Sequence, residues 1–308
     1  NMYRIQTMNK ISPVGLNRFP AELYEVSDTV QDPQGILVRS AKLLDMEFNP
    51  GLLAIARAGV GVNNIPLDRC TEAGIPVFST PGANANAVKE LVICAMLIGS
   101  RDIPGAIRWV REQAASGVEV ATVVEKGKSA FVGPELYKKT LGVIGLGKIG
   151  SRVAQLAQAF GMTVKAYDPY VDGAVMAEKG VEKVDSVLEL CSQADYLTVH
   201  TPLTAETKGI VGAKELAAMK DGSIVVNCAR GGLTDTEALI EGIESMQIGA
   251  LGMDTAEGEE GIIHCDRRSD IIANRNWFYL HQFRNVIMTQ HMAFYTEQAV
   301  DSMVQCGI

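Results

Sequence analysis

Three polar residues whose types suit chemistry on a carboxylic acid lie in the second half of this 308-residue chain. Arg230 lies in NCARGG, Glu259 in MDTAEGEEG and His291 in MTQHMAFYT. Arginine offers paired, planar donors to a carboxylate. Histidine can move a proton near neutral pH, and a neighbouring carboxylate would hold its ring and favour the protonated form. Because all three follow a glycine-rich turn, TLGVIGLGKIGS, they predict hydride transfer on a small 2-oxo acid.

Each of the three residues follows a short apolar run that reads as a strand. Arg230 comes directly after SIVVNCA (223–229), Glu259 lies just past IGALGMD (248–254), and His291 ends NVIMTQH (285–291). Ligands of open α/β sheets bind beyond the carboxyl ends of the strands. The positions therefore favour a catalytic role over a surface arginine or a core histidine. Glu257 and Glu260 are rivals of Glu259 because they lie so close to it.

The glycine-rich turn has the GxGxxG spacing of a dinucleotide-binding site. Its glycines are Gly145, Gly147 and Gly150, with Lys148 and Ile149 between the last two. The pattern predicts a strand before the turn, a helix at 151–161 after it, and a second strand at 163–169. Asp168 lies near the end of that second strand, where a carboxylate binds the adenosine ribose and repels a 2′-phosphate. The turn therefore predicts NAD as the cofactor, in preference to NADP.

Apolar runs alternate with helical patterns along most of the chain, which predicts parallel sheets covered on both faces. Further strands are predicted at 36–40, 52–60, 76–80 and 196–202, and helices at 67–74, 86–103 and 234–245. A Lys-rich connection at 126–139 separates the two series. Thr234 and Glu237 have the spacing of a capping box for the last helix. We expect two α/β domains that divide near residue 100.

Composition limits the classes of partner. The formal charge is −8 with no long basic run, which argues against nucleic acid and anionic membranes. No apolar run suits a bilayer crossing, and the opening residues Asn1–Arg4 lack the pattern of a signal peptide. The cysteines show no CxxC and no metal-ligand spacing, so we expect reduced thiols in the cytoplasm and no metal site. They are Cys70, Cys94, Cys191, Cys228, Cys265 and Cys306.

Over essentially its whole length the chain resembles the D-isomer-specific 2-hydroxyacid dehydrogenase family. The segments that carry the resemblance include RAGVGVNNI (57–65), TPGANANAVKEL (80–91), HTPLTAETKGIV (200–211), VNCARGG (226–232) and GMDTAEGE (252–259). The resemblance implies a Rossmann-type, doubly wound NAD domain (101–290) inserted into a smaller flavodoxin-like substrate domain (1–100 and 291–308). It also implies a homodimer, for which the apolar helix at 86–103 is the predicted contact.

The resemblance assigns a role to each matching residue. Arg230 would bind the substrate, His291 would be the acid/base with Glu259 as its partner, and Asp254 would contact the nicotinamide carboxamide. The backbone of Val60, Gly61 and Val62 would hold the substrate carboxylate. The remaining residues assigned to the cofactor are Pro169, His200, Thr201, Pro202, Thr207, Cys228 and Ala229.

Different residues of the chain point to different substrate tails. Arg39 and Arg57 resemble the phosphoglycerate dehydrogenase branch of serine biosynthesis and would bind a phosphate. Phe294, in MAFYTEQAV, resembles the D-lactate and D-2-hydroxyisocaproate type and would pack on an apolar tail. The best interpretation is D-3-phosphoglycerate and 3-phosphohydroxypyruvate, but Arg39 and Arg57 could be structural and Phe294 could be core.

Two other functions stay open. One is oxidation of formate or phosphite, although formate-type relatives usually pair the histidine with glutamine and this chain has Glu259. The other is an NAD(H)-sensing corepressor, because fold alone does not fix function.

Overall fold

A computed structural model describes residues 2–259, 262 and 274–308. By their contacts the residues form two compact units. Unit 1 comprises Asn1–Ala87 and Phe294–Ile308, and unit 2 comprises Val88–Ala293. The divisions fall after Ala87, which lies inside a helix, and after Ala293, whereas the sequence predicted them near residues 100 and 290.

Unit 1 contains a five-stranded parallel sheet of order β2-β1-β3-β4-β5. This order, in which the first strand is flanked by the second and the third, is the flavodoxin-like arrangement. The strands are β1 (Tyr3–Met8), β2 (Tyr24–Ser27), β3 (Gly35–Val38), β4 (Ala54–Arg57) and β5 (Val77–Phe78).

Three helices belong to unit 1: α1 (Pro13–Leu16), α2 (Leu67–Glu72) and α12 (Glu297–Gly307). The last helix packs on the first, and a Cβ atom on Gly15 would overlap the side chain of Val304. The Ser12 hydroxyl also donates a hydrogen bond to Asp301 on α12. Helix α12 is therefore packed into the fold of unit 1.

Unit 2 contains a seven-stranded parallel sheet of order β12-β11-β10-β9-β6-β7-β8. The first strand of the series, β6, lies between its second and fourth, which is the Rossmann order with one strand added at the edge. The strands are β6 (Thr140–Ile144), β7 (Thr163–Tyr167), β8 (Glu182–Lys183), β9 (Tyr196–Val199), β10 (Ser223–Asn227), β11 (Ile248–Met253) and β12 (Val286–Met288). The predicted doubly wound α/β class is thus confirmed.

The remaining helices of the described chain lie wholly or mostly in unit 2. They are α3 (Ala85–Arg101), α4 (Ile103–Ala115), α5 (Val120–Gly127), α6 (Lys148–Ala159), α7 (Gly173–Glu178), α8 (Val187–Gln193), α9 (Ala213–Ala217), α10 (Thr236–Glu244) and α11 (Arg275–Leu280). Of these, α4 and α5 were not predicted, and part of the expected connection at 126–139 is helical. Asp102 separates α3 from α4, because it adopts a left-handed φ of 43° and its carboxylate accepts the amide of Gly105.

Helix α3 packs on the sheet of unit 2, and this packing explains why most of the helix belongs there. Val92, Ile93 and Met96 are buried in the same hydrophobic cluster as strand residues of β6 and β10. A Cβ atom on Gly99 would lie 3.2 Å from the Cβ of Ala250. The apolar residues of α3 therefore have partners within one subunit, and a dimer contact through this helix stays a prediction.

One local prediction was wrong. Helix α10 is capped by Asp235, whose carboxylate accepts the amide of Ala238, and not by a capping box of Thr234 and Glu237. The Thr234 hydroxyl instead donates to the carbonyl of Gly231 in the preceding turn. The chain approaches this helix through a 3-10 turn, which shifts the cap by one residue.

No helix in the described part of the chain has both the length and the apolar character of a membrane span. Five cysteines, all except Cys265, are free thiols in the described residues. Cys265 and Glu260 lie outside the described residues.

Candidate active site

His291 and Glu259 form a hydrogen-bonded pair in unit 2. The Nδ1 atom of His291 lies 2.7 Å from Oε1 of Glu259, and their side chains are 30% and 12% exposed. The other carboxylate oxygen of Glu259 accepts the backbone amide of Ala256 at 2.9 Å, which fixes its orientation. The exposed rival Glu257 instead lies 3.5 Å from the Thr236 hydroxyl. The geometry therefore makes Glu259, and not Glu257, the partner of the histidine.

The backbone that carries His291 is held by Asp254, a buried residue at the end of β11. One oxygen of Asp254 accepts the Thr289 hydroxyl at 2.6 Å and the amide of Met292 at 2.8 Å. The other oxygen accepts the amide of Ala293 at 2.9 Å. His291 itself adopts a left-handed φ of 52°, which is uncommon for a residue other than glycine. Asp254 thus has three protein donors, in addition to the nicotinamide contact that the family resemblance implies for it.

Arg230 is exposed and directly follows the turn after β10. Its Nη1 donates to the carbonyl of Ala229 at 2.7 Å. The fully buried amide of Asn227 shapes this turn, because it accepts the Ala229 amide and donates to the Arg230 carbonyl. Asn227 was not predicted as a site residue, although its place in VNCARGG was a signal. It positions the arginine at the end of the sheet.

The Arg230 turn and the loop that carries Glu259 touch through Gly231. A Cβ atom on Gly231 would overlap the carbonyl carbon of Ala256 and the amide nitrogen of Glu257. Only glycine permits this approach of two backbones. The contact fixes the arginine turn against the loop whose Ala256 amide binds Glu259.

The three strands that carry the trio are neighbours, with β11 between β10 and β12. Adjacent strands lie about 4.8 Å apart, so Arg230, Glu259 and His291 start from one short stretch of sheet edge. At this edge, the guanidinium of Arg230 can bind the carboxylate of a 2-oxo acid. The imidazole of His291, held by Glu259, can exchange a proton with the oxygen of that acid.

The glycine-rich turn lies between β6 and α6, where the strand order of unit 2 reverses. Gly145 has a left-handed φ of 86°, and a Cβ there would lie 2.9 Å from the carbonyl oxygen of His200. A Cβ on Gly150 would overlap the carbonyl of Gly145. A Cβ on Gly147 would meet no protein atom within 4 Å. Open space beside Gly147, at the amino end of α6, fits a diphosphate bound by helix amides.

Asp168 follows β7, with Pro169 next to it. Its Oδ2 accepts the amide of Leu146 in the glycine turn at 2.8 Å, and its Oδ1 accepts the amide of Tyr170 at 2.9 Å. A carboxylate can accept about four hydrogen bonds, so lone pairs are left for ribose hydroxyls. Lys148 and Ile149 form the first turn of α6, which contains no acidic residue. These features fit a dinucleotide without a 2′-phosphate.

His200 lies at the end of β9, beside Gly145. Its Nε2 is 2.8 Å from the Thr198 hydroxyl, and its buried Nδ1 has no hydrogen-bond partner among the described residues. Burial lowers the pKa of the ring to about 4, which keeps it neutral near pH 7. A neutral ring with a buried, unpartnered nitrogen, on a residue whose backbone borders Gly145, fits a place beside the cofactor and not an acid/base role. Thr201 follows it and is half-buried.

The other predicted cofactor residues border the same strand ends. Thr207 donates to the carbonyl of Pro202 at 2.6 Å, which closes the loop after β9. Cys228 is buried beyond β10, and burial raises the pKa of its thiol far above the usual range. Cys228 therefore stays protonated, and Ala229 beside it is half-buried.

In unit 1 the residues assigned to the substrate lie at the ends of β3 and β4. The Nε atom of Arg57 donates to the carbonyl of Arg39 at 2.9 Å. The Arg57 guanidinium also lies against Gly59, where a Cβ would be 3.2 Å from its central carbon. The loop that continues from Gly59 carries Val60, which is exposed, and Gly61 and Val62, which are half-buried. Two arginines and this loop therefore share one edge of the unit 1 sheet.

Phe294 packs within unit 1 against a buried cluster that includes Leu37, Ala58 and Met303. This placement agrees with the core interpretation that the sequence left open.

Two polar residues near these loops, Thr80 and Asn84, were not predicted from the sequence. The buried hydroxyl of Thr80 lies 3.1 Å from the Gly59 amide. The Asn84 Oδ1 is buried without a hydrogen-bond partner among the described residues, and its place in TPGANAN was a signal.

Comparisons with known proteins agree with this geometry. Residues 93–293 match the family model for the D-isomer specific 2-hydroxyacid dehydrogenase, NAD binding domain. The chain is 42% identical over 238 residues to a D-3-phosphoglycerate dehydrogenase of Methanocaldococcus jannaschii, an alignment that covers 76% of this chain and 43% of that protein. It is 36% identical to an aromatic 2-oxoacid reductase of Clostridium sporogenes, with 83% of this chain and 73% of that protein covered.

Among solved structures, a D-lactate dehydrogenase from Aquifex aeolicus, complexed with NAD and lactic acid, superposes with a TM-score of 0.77. It is 28% identical and is matched over 98% of this chain and 92% of that chain. The chain spans less than half the length of the phosphoglycerate dehydrogenases that it matches. The family model confirms the predicted NAD-binding domain. The chain therefore belongs to the family of D-isomer-specific 2-hydroxyacid dehydrogenases, which are NAD-dependent oxidoreductases that act on CH–OH groups.

Proposed function

We propose that this chain catalyses reversible hydride transfer between NAD(H) and a small D-2-hydroxy or 2-oxo acid. The observation that carries the proposal is the 2.7 Å hydrogen bond between His291 and Glu259. His291 follows β12 and Arg230 follows β10, and only β11 lies between these two strands. The same unit contains the dinucleotide-binding turn. Reduction of a 2-oxo acid requires a proton donor, here a histidine held by a carboxylate, and a cation that binds the substrate, here an arginine.

Each residue of the trio has one task. Arg230 binds the substrate carboxylate and offsets the negative charge that develops on the carbonyl oxygen. Glu259 binds Nδ1 of His291 and so directs Nε2 toward proton exchange with the substrate oxygen. NAD, when bound, supplies the hydride acceptor or donor. In unit 1, the backbone of Val60, Gly61 and Val62 is proposed to bind a substrate carboxylate.

D-3-phosphoglycerate and 3-phosphohydroxypyruvate are the proposed substrate pair. Two arginines at one sheet edge, Arg39 and Arg57, supply the charge that a phosphate requires. The Arg57 side chain is oriented by the Arg39 carbonyl, which limits the entropy lost on binding. Phe294 packs in a core cluster, which weakens its assignment to a substrate tail. Phosphoglycerate dehydrogenases are also among the relatives most similar in sequence.

An apolar 2-oxo acid is the second candidate. The observation that favours it is the alignment with the aromatic 2-oxoacid reductase, which covers 73% of that protein. The alignment with the D-3-phosphoglycerate dehydrogenase of Methanocaldococcus jannaschii covers 43% of that protein. Phe294 would then line the pocket for the tail while it also packs in unit 1.

The test is NADH oxidation with 3-phosphohydroxypyruvate, pyruvate and 2-oxoisocaproate, each with wild type and Arg39→Gln. Arg39→Gln is preferred to a variant of Arg57, because the Arg57 side chain also donates a hydrogen bond to the Arg39 carbonyl and its loss would disturb the backbone there. We expect the highest kcat/KM with 3-phosphohydroxypyruvate and a selective loss of that preference in the variant. A higher kcat/KM with 2-oxoisocaproate would support the second candidate, and no turnover with any of the three would contradict the proposal.

A homodimer is proposed as the assembly. The apolar residues of α3 are mostly buried, but α4 exposes Ile107 and Val110, which favours α4 over α3 as a contact. Light scattering during size exclusion would measure the mass. A cytoplasmic role in serine biosynthesis stays a prediction that depends on the phosphoglycerate assignment.

A further inference from the structure

We propose that Asp254 is a positioning residue for His291. Its carboxylate binds the backbone after β12 and holds His291 in the left-handed conformation in which the ring contacts Glu259. The inference rests on the proposed acid/base role of His291. It adds a task to the nicotinamide contact that the family resemblance implies for Asp254.

Three hydrogen bonds carry the inference, and they surround His291 along the chain. Thr289 precedes the histidine, and Met292 and Ala293 follow it; all three donate to Asp254. Asp254 is 2% exposed, so these donors meet a carboxylate that is shielded from water. Hydrogen bonds to a charged group are short and strong, and shielding strengthens them further. The carboxylate therefore acts as a clamp on both sides of residue 291.

The clamp maintains an uncommon backbone conformation at His291. His291 has φ of 52°, in the left-handed region that residues other than glycine rarely adopt. Such a conformation persists when the surrounding structure determines it from several directions. Released from the clamp, the backbone at residue 291 would relax toward negative φ. The ring would then swing away from Glu259.

The same short loop holds both the backbone and the ring of His291. Asp254 begins this loop and Glu259 ends it. The loop is itself fixed at its start, where the Asp254 amide donates to the carbonyl of Asn227 on β10. It is fixed again where Gly231 contacts Ala256. The position of the imidazole is thus set by a loop that β10 and the Arg230 turn anchor.

A nicotinamide contact and a positioning role make different demands on Asp254. A carboxylate accepts about four hydrogen bonds, and protein donors use three of those positions. Loss of a nicotinamide contact would weaken NADH binding. Loss of the clamp would leave NADH binding intact and move the imidazole instead.

Asp254→Asn separates the two roles. In either orientation of the amide, its NH2 group faces a backbone or hydroxyl donor, so at least one hydrogen bond is replaced by a donor–donor contact. We expect kcat to fall by about 10²-fold, as for a catalytic group displaced by roughly 1 Å. Weaker NADH binding in this variant would report the lost nicotinamide contact, whereas a change in the His291 ring signals reports the lost clamp. The 15N signals of the His291 ring should lose the pattern of one tautomer fixed by a carboxylate.

Two results would overturn the proposal. One is wild-type kcat in Asp254→Asn. The other is a fall in kcat accompanied by weaker NADH binding while the His291 ring signals stay as in wild type. The ring signals are the readout that a purely structural role elsewhere in unit 2 would not move.

Wild-type protein and a milder pair of variants decide the matter if Asp254→Asn does not fold. In wild type, the amides of Met292 and Ala293 should be protected from hydrogen exchange, and rapid exchange of both would contradict the clamp. Thr289→Val should lower kcat while Thr289→Ser restores it, and equal kcat in this pair would also contradict it. If wild type shows no turnover, the proposed function fails, but the ring signals and amide exchange still test the clamp.

Discussion

The carboxylate of Glu259 lies 2.7 Å from the imidazole Nδ1 of His291, although the two residues are 32 positions apart in the chain. Neighbouring strands β11 and β12 bring them together. The second oxygen of Glu259 binds the Ala256 amide, so the carboxylate is oriented before any substrate is present. In the proposed mechanism, this contact orients the imidazole of His291 as a proton donor.

Glu259→Gln should lower kcat by at least about 10-fold, but by less than the full 10²–10⁴-fold that general acid–base catalysis contributes. The amide can still accept from the ring but carries no charge to stabilise its protonated form. Glu257→Gln is the matched control, because Glu257 is exposed and does not contact the histidine among the described residues. Steady-state kinetics of both variants would measure the loss of kcat. An equal loss in the two variants would contradict the assignment of Glu259.

Asp168→Asn should weaken NADH binding by about 10- to 100-fold, the range expected for lost hydrogen bonds to a charged group. It should also raise the kcat/KM for NADPH relative to NADH, because the charge that repels a 2′-phosphate is gone. Asp172→Asn is the control, since Asp172 is a nearby acid that caps α7. Cofactor preference that does not differ between wild type and Asp168→Asn would refute this role.

Gly231→Ala should reduce both turnover and stability, because its Cβ would overlap the backbone of Ala256. Overpacking of this kind costs about 1–3 kcal/mol. Gly232→Ala is the matched control, since its Cβ would lie 3.2 Å from the side chain of Leu203, which is exposed and can move. Chemical denaturation and kcat would be measured for both. Wild-type behaviour of Gly231→Ala would show that the two loops do not need this contact.

His200 should make the protein sensitive to acid. The pKa of its ring falls from 6.5 to about 4 because of burial, so the unfolded chain binds more protons between these values. Stability is therefore full above pH 6.5 and is lost as pH falls toward 4, by up to about 1.4 kcal/mol per pH unit. His200→Asn should show a shallower fall in the free energy of unfolding over this interval. Identical slopes in the two proteins would exclude the histidine as the cause.

The sequence was sufficient to predict the strands that are apolar on both faces, such as β9 and β10, and the glycine turn between β6 and α6. Edge strand β2 mixes polar and apolar residues and gave no such signal. Helix α4 was missed because Pro104 and Gly105 follow the end of α3 closely, and only the left-handed Asp102 shows where one helix stops and the next begins.

For the site, chain position was enough to place Arg230, Glu259 and His291 at strand ends. The contacts of Gly231 and Asp254 could not be foreseen, because they depend on how closely separate loops approach. No periodicity in the sequence records a backbone contact between residues 231 and 256. The same holds for the three donors that converge on Asp254.

The most direct test of the account is the single turnover of NADH and 2-oxo acid by His291→Asn. Asparagine tolerates the left-handed backbone of this position but cannot act as a general acid near neutral pH. His281→Asn is the control, because its ring packs on Trp277 in unit 2. We predict that His291→Asn binds NADH as wild type does and that its hydride transfer is slower by about 10²–10⁴-fold. Hydride transfer at the wild-type rate in His291→Asn would contradict the account.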